Sequence, residues 1–412
     1  MDYQDIDNLL NKSVELSKYK EKRWVIIHDE TRGNYDQPFV KYNCKTVADK
    51  LVDYSKGYIL ITGTISSTAA ATPLVAGNNI AFKNGSNSII KSATVRLNNN
   101  EVDQNHHVYI TTTYLNLLEY SGDYSRNAQQ FGFVADDVLI AAAANQFRKT
   151  ITLTGIRAGV FEFCLKLPLT YLSSFFRRLN FPIINNELDL ELELRGNNSL
   201  LRPQGVHEAK VDITKTELYL PIVELPSDYE KRFLTMLSSS YTKELKWEHM
   251  DVHIIHGVRG RFDRLITPSL NGVRKMYVMA VLTNRWNSQE FSDTASDTAI
   301  NNINIEIDSK NYFDRDIRNE HVAYTYLQEC FNMGGTDFNT GSMISYKDFR
   351  NLYRLYAFDL SHQKVFESDP RKSQSIRLKC EVPDNDHVLV VVLSQQKLTE
   401  ICMSDSSKTH TV

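Results

Sequence analysis

The 412-residue chain has only five cysteines, Cys44, Cys164, Cys330, Cys380 and Cys402, set far apart and without a C-x-x-C pair. An odd, dispersed set excludes a disulfide framework and a zinc knuckle and leaves free thiols. Long apolar runs are missing too: VLIAAAA (138–144) and VLVVVL (388–393) are the longest, well short of a bilayer span. Neither sign of charge dominates. The 47 basic and 50 acidic residues leave a net charge of -3, so strong sequence-independent attraction to nucleic acid is not expected. The opening MDYQDIDNLLNK is acidic and lacks a basic stretch followed by an apolar one, so no secretory signal is expected and the chain is read as made and used inside a cell. No phosphate loop, no G-x-G-x-x-G after a strand and no G-x-S-x-G elbow occurs, and no motif calls for a cofactor.

What the chain does have, at 42% hydrophobic and 24% charged residues, is the make-up of a soluble globular protein. Its length fits two domains of about 200 residues each. Strand signals dominate. YILITGTIS (58–66), ATVRL (93–97), KTITLTGI (149–156), VFEFCLKL (160–167), LDLELEL (188–194), TELYLPIV (216–223), RKMYVMAVL (274–282), INIEI (303–307), SIRLKCEV (375–382) and HVLVVVL (387–393) alternate or are rich in β-branched and aromatic residues. Helical period is confined to short pieces at 6–17, about 113–120, about 135–146, 170–179, 228–238 and 346–355. The piece at 228 follows Ser227 as a candidate N-cap and places Phe233, Leu234 and Leu237 on one face.

A faint internal repeat sets the architecture. VRLNNNEVDQNHHVYITTTYLNLLEY (95–120) and IEIDSKNYFDRDIRNEHVAYTYLQECF (305–331) both run strand, polar acidic turn, His-Val, then a short Tyr-Leu helix. YLSSFFRRL (171–179) ahead of the leucine strand at 188 parallels YKDFRNLYRLY (346–356) ahead of SIRLKCEV. The expected fold is all-β: two consecutive eight-stranded antiparallel jelly rolls, with short helices in loops, an N-terminal arm and a connecting helix. The expected divisions are an arm over 1–23, a first jelly roll over 24–225, the connecting helix and second jelly roll over 226–395, and a polar tail over 396–412.

Three stretches invite a chemical reading. NNELDLELELR (185–195) sets Glu187, Asp189, Glu191 and Glu193 between leucines, and E-x-D-x-E on a strand resembles the signature of a jelly-roll glycosidase family. Glu187 would be its nucleophile, Glu191 its acid and Asp189 the group that tunes both. A retaining glycosidase needs carboxyls about 5 to 5.5 Å apart, whereas residues four apart on a flat strand are about 13 Å apart. Trp24, Trp247 and Trp286, which could hold a sugar ring, all lie far from residue 187 in sequence. The plainer reading has Leu188, Leu190, Leu192 and Leu194 facing a core, and the acids facing water or lysines on a neighbouring strand. EHMDVHIIH offers His249, His253 and His256 to a metal if helical, but Val, Ile and two nearby glycines favour a strand, on which His256 points away from the other two. NNNEVDQNHHVY offers Glu101, Asp103, His106 and His107, yet three asparagines after a strand favour a polar loop leading into the Tyr114-Leu115 helix.

Basic residues are scattered apart from KYKEKR (18–23). Just before it, Ile6, Leu9, Leu10 and Val14 form an amphipathic arm, an apolar stripe in want of a groove. That stripe, with Lys18, Lys20, Lys22 and Arg23, is the candidate assembly contact.

Several segments taken together resemble the double jelly-roll major capsid proteins of Polinton- and adintovirus-like small eukaryotic DNA viruses. They are IIKSATVRLNNNEVDQNHHVYITTTYLNLLEYSGDYS (89–125), LPLTYLSSFFRRLNFPIINNELDLELEL (167–194), ITKTELYLPIVELP (213–226), ITPSLNGVRKMYV (266–278), NIEIDSKNYFDRDIRNE (304–320) and TGSMISYKDFRNLYRLYAFDLS (340–361). The resemblance implies a structural protein rather than an enzyme: a homotrimeric, pseudo-hexagonal capsomer that builds an icosahedral shell around a double-stranded DNA genome, located in the virion. Its partners would be further copies of itself and minor and penton capsid proteins, with room for an inner membrane and with nucleic acid met only indirectly. Segments such as 283–302 and 121–148 would be loops of the outer surface, and the arm would lie on the inner side of the shell. The alternatives are a jelly-roll glycoside hydrolase and a glycan-binding attachment protein.

Overall fold

In a computed structural model, residues 21–31, 35, 38–69, 79–83, 85–120, 151–152, 160–202, 208–238, 241–330, 343–361, 373–404 and 409–411 are described. Strands with one apolar face pair into antiparallel sheets that bury those faces against each other. In the first half, β1 (Glu21–His28), β11 (Ala209–Glu224), β3 (Tyr58–Ser67) and β8 (Phe161–Pro168) form one sheet in that order. The facing sheet joins β2 (Phe39–Asn43), β9 (Leu188–Leu194), β5 (Ile90–Leu97) and β6 (Asn100–Asn105). In the second half the two sheets are β12 (Thr242–Val258), β19 (His387–Cys402), β14 (Val273–Leu282) and β17 (Tyr356–Asp359), and β13 (Arg261–Asn271), β18 (Ser373–Glu381), β15 (Asn301–Ile307) and β16 (Lys310–Asn311). Counted within its own half, each set of eight runs first, eighth, third, sixth in one sheet and second, seventh, fourth, fifth in the other. That is jelly-roll connectivity, repeated. Three short strands, β4 (Asn79–Phe82), β7 (Ile151–Thr152) and β10 (Leu200–Leu201), make a small extra sheet, and β20 (His410–Thr411) pairs with β19.

Local sequence explains the elements. Along β3 the buried residues Ile59, Ile61 and Ile65 alternate with half-exposed neighbours, the period-two pattern of a strand with one wet face. Gly63 takes a place in that series where a side chain has no room. A Cβ there would lie 2.5 Å from the Asp212 carbonyl oxygen and 2.7 Å from the Phe163 ring. Hairpin chemistry repeats between the halves. Leu97 pairs with Asn100 across Asn98 and Asn99 (φ 52° and 63°), and Ile307 pairs with Lys310 across Asp308 and Ser309 (φ 47° and 65°). Both are two-residue turns with left-handed backbone, which Asn and Asp tolerate best among non-glycine residues.

Five α-helices occur among the described residues: α1 (Val108–Glu119), α2 (Ser174–Arg178), α3 (Ser227–Leu237), α4 (Glu320–Glu329) and α5 (Tyr346–Asn351). α1 and α4 follow the two matching hairpins, as the first pair of repeats predicts. The second pair does not correspond: α2 lies between β8 and β9, whereas α5 lies before β17, one strand earlier in its jelly roll. The shared aromatic-basic composition of those segments reflects short amphipathic helices at different corners of the sandwich. Residues 100–105, expected as loop, form β6, since hairpin pairing gives their polar backbone a partner strand. In α3 the N-cap is Pro226 and Ser227 is the first helical residue. Phe233 and Met236 are buried there while Leu234 is 57% exposed, because the inward stripe follows i, i+3 and i+4. Residues 396–402, expected as tail, continue β19 to Cys402, and Thr399 and Glu400 carry β20. The expected helices over 6–17 and 135–146 lie outside the described residues.

Two hydrophobic cores result, and each borrows from the other half. The first contains Leu245 and Trp247 of β12 with Ile401 and Met403 from the far end of the chain. The second contains Tyr109, Ile110, Tyr114, Leu115, Leu117 and Leu118 of α1.

Candidate assembly surfaces

The acid row of NNELDLELELR is an architectural seam. Leu188, Leu190 and Leu192 are buried and the acids between them are half-exposed, so the alternation is that of an ordinary sheet strand. Each acid finds a partner on a flanking strand or loop. Asn43 donates to Glu187 at 2.6 Å and to Asp189 at 2.7 Å. Glu191 lies between Lys41 (3.4 Å) on β2 and Arg96 (3.2 Å) on β5, and Glu193 accepts from Lys91 (2.7 Å) and Ser92 (3.1 Å). Burial raises the pKa of Asp189, helped by the charge of Glu187 and opposed by the Asn43 hydrogen bond. Burial acts on Glu191 as well, but Arg96 and Lys41 outweigh it and hold that carboxyl below its ordinary value. A general acid needs the opposite shift. The two asparagines that open the stretch serve the far end of the chain: Asn185 donates to the Met403 carbonyl at 2.7 Å, and Asn186 donates to the Cys402 carbonyl at 3.1 Å.

The histidine-bearing stretches meet across the junction between the halves. β12 is a strand, as its Val and Ile content implies, and on it His249 Nδ1 lies 2.7 Å from Asp103 Oδ1 of β6. The other oxygen of Asp103 accepts from the Ser173 hydroxyl. His253 pairs with Asp251 at 3.1 Å, while the His256 and Trp286 rings meet nearly at right angles, 6.5 Å apart. No group of three or more His, Cys, Asp or Glu side chains able to hold a metal occurs among the described residues. The His249–Asp103–Ser173 contacts join one jelly roll to the next.

A buried ionic centre completes the junction, built from residues that no motif singled out. Asp293, 1% exposed, accepts from Lys83 at 3.1 Å and from Arg195, while its other oxygen takes the Asn287 backbone N–H at 2.7 Å. The Arg195 guanidinium also lies 3.8 Å above the centre of the Tyr109 ring of α1. Burial alone would raise the Asp293 pKa, but the Arg195 and Lys83 charges more than offset it and hold the carboxyl below its ordinary value. For residues 292–296 this centre corrects the expectation that 283–302 lies on the outer surface. Ser292, Asp293, Thr294, Ala295 and Ser296 are buried, and Gln289 exchanges hydrogen bonds with the Ala209 backbone at 3.0 and 2.8 Å. A polar segment can be interior when fixed charges and backbone groups of the other half satisfy it. The readable signal was the run of small residues around a single charge, which suits a tight interface better than a free loop.

Of the candidate contact residues, Ile6, Leu9, Leu10, Val14, Lys18 and Lys20 lie outside the described residues. Lys22 and Arg23 belong to β1 rather than to an arm, because their backbone pairs with Val223 and Ile222 of β11. The Lys22 ammonium sits 5.3 Å over the Trp24 ring. Burial lowers its pKa, with Lys56 adding to the effect and Asp53 opposing it.

No family model and no curated protein matches the chain. Solved structures do. A chain from the cryo-EM structure of the Sputnik virophage superimposes with a TM-score of 0.66 at 10% identity, over 97% of this chain and 89% of that one. The mavirus major capsid protein gives 0.64 at 11% identity, over 94% and 90%. The faustovirus major capsid protein gives 0.56 at 8% identity, over 97% and 94%. With two jelly rolls of one strand order in series and full-length superposition on these structures, the chain has the double jelly-roll fold found in viral major capsid proteins.

Proposed function

We propose that this chain is a major capsid protein, a structural component of the virion that assembles with copies of itself. The observation that carries the reading is the jelly-roll strand order repeated twice in one chain, matching major capsid proteins from end to end. The physical logic favours a trimer. A chain offering two similar sandwiches yields a near six-fold block from three copies, and one cyclic contact can then be reused at every lattice point. In this reading the trimers tile an icosahedral shell around a double-stranded DNA genome, minor and penton proteins fill the remaining positions, and the arm over residues 1–20 makes contacts on the inner side of the shell. Nucleic acid is met only indirectly, which suits the net charge of -3.

Sedimentation of the purified full-length chain with negative-stain imaging tests this. The expected result is a stable trimer with a hexagonal outline, or closed shells. A monomer across a wide range of salt would overturn it.

A further inference from the structure

The two halves share one strand order, yet equivalent surfaces in them are not equally covered. In the second half every residue from Met276 to Val281 on β14 and from Val388 to Leu393 on β19 is buried, so both faces of that sheet are occupied. One face looks into the second core. The other carries Tyr277 and Met279, paired with Val392 and Val390; α1 of the first half is buried in the same core, with Glu119 at the end of that helix close enough for its charge to act on Tyr277.

In the first half the matching face is open. β3 alternates buried and half-exposed residues throughout, and Trp24 and Ile26 on β1 are 46% and 43% exposed beside the stacked rings of Tyr58 and Tyr219. The helices show the complementary difference. α1 is buried at every position from Val108 to Leu118, whereas α4, which follows the same hairpin in the second half, buries Ala323 and Leu327 and leaves Val322 44% exposed. Aligned on Tyr114-Leu115 and Tyr326-Leu327, Val322 stands where α1 has Ile110, a residue pressed into the second core. Charge agrees with the fit. Lys22 and Lys166 border the open rings, at 5.3 Å over Trp24 and 4.2 Å over Tyr58, and α4 ends on exposed Glu329.

We infer that α4 of one copy of this chain docks on the open face around Trp24, Ile26 and Tyr58 of the next, repeating between chains the contact that α1 makes within the chain. The inference rests on the capsomer reading above and names its interface. The contact is head-to-tail, so it propagates until the ring closes, and six equivalent contacts, three within chains and three between them, close a ring of three chains.

Sedimentation velocity on the full-length chain tests it. Ile26→Arg and Val322→Arg are each expected to abolish the trimer boundary at concentrations where the unsubstituted chain is trimeric, with far-UV circular-dichroism spectra unchanged because both side chains are exposed. Leu234→Arg, at an exposed leucine of α3, is expected to leave the trimer intact. Mixing the two arginine variants leaves one undamaged junction per pair and is expected to give a heterodimer. A trimer that survives both substitutions, or that Leu234→Arg abolishes equally, overturns this interface alone. An unsubstituted chain that sediments as a monomer overturns the capsomer reading and the interface with it.

Discussion

Asp103 on β6 and His249 on β12 lie 2.7 Å apart, one contributed by each jelly roll. Each came from a stretch that looked chemical in isolation, and their meeting gives both a structural task at the seam between the halves.

The strand that looked most like an active site should respond as a core strand. Leu190 is 1% exposed, so Leu190→Asp buries a carboxylate among apolar neighbours and is expected to cost more than the about 2 to 5 kcal/mol of a buried Leu→Ala change. Glu191→Gln loses half-exposed pairs with Lys41 and Arg96, a change of about 1 kcal/mol or less. Urea denaturation of the two variants compares them directly.

Asp293→Ala leaves Lys83 and Arg195 buried at the junction without their counter-charge. The expected loss is about 3 to 5 kcal/mol, the usual result of removing one partner from a buried ion pair. A melting temperature that moved by less than a degree would show that the centre is not needed for stability.

Acid should weaken the junction through His107. Burial lowers its pKa to about 4, with His106, Lys91 and Arg195 acting in the same direction and Asp251 opposing them. In the unfolded chain the ring titrates near its usual value of about 6.5, so between about pH 6.5 and 4 the unfolded state binds a proton that the folded state refuses. Stability contributed by this group is therefore present at neutral pH and falls as the pH drops through that window. Denaturant midpoints at pH 7 and pH 5 should differ, and His107→Gln should flatten the difference.

Deleting residues 1–20 is expected to leave trimers intact and impair shell formation, since β1 begins at Glu21 and keeps its full pairing with β11. Loss of the trimer on this deletion would place the arm at the interface between subunits instead.

The parts of the fold legible in sequence were those set by local period and turn chemistry. Alternation in YILITGTIS and LDLELEL gave β3 and β9, and the asparagines after ATVRL marked the turn that ends β5, though not the strand that follows it. What stayed hidden depends on partners remote in sequence. Asp293 reads as a surface aspartate until Lys83 and Arg195 are brought to it from 210 and 98 residues away. Residues 396–402 read as a tail because their polar side chains gave no strand period, yet pairing with the start of β12 makes them the end of β19. The similarity between the segments at 171 and 346 was one of composition, and it misled because short amphipathic helices recur wherever a sandwich corner must be closed.

Exchange of elements between the two cores has a mechanical meaning. Trp247 and Ile401 are buried in the first core and Ile110 and Leu117 in the second, so neither sandwich keeps a complete interior if the other is pulled away. A wall made of such blocks would yield along the seams between neighbouring molecules, and internal pressure would test those seams before it tested the chain itself.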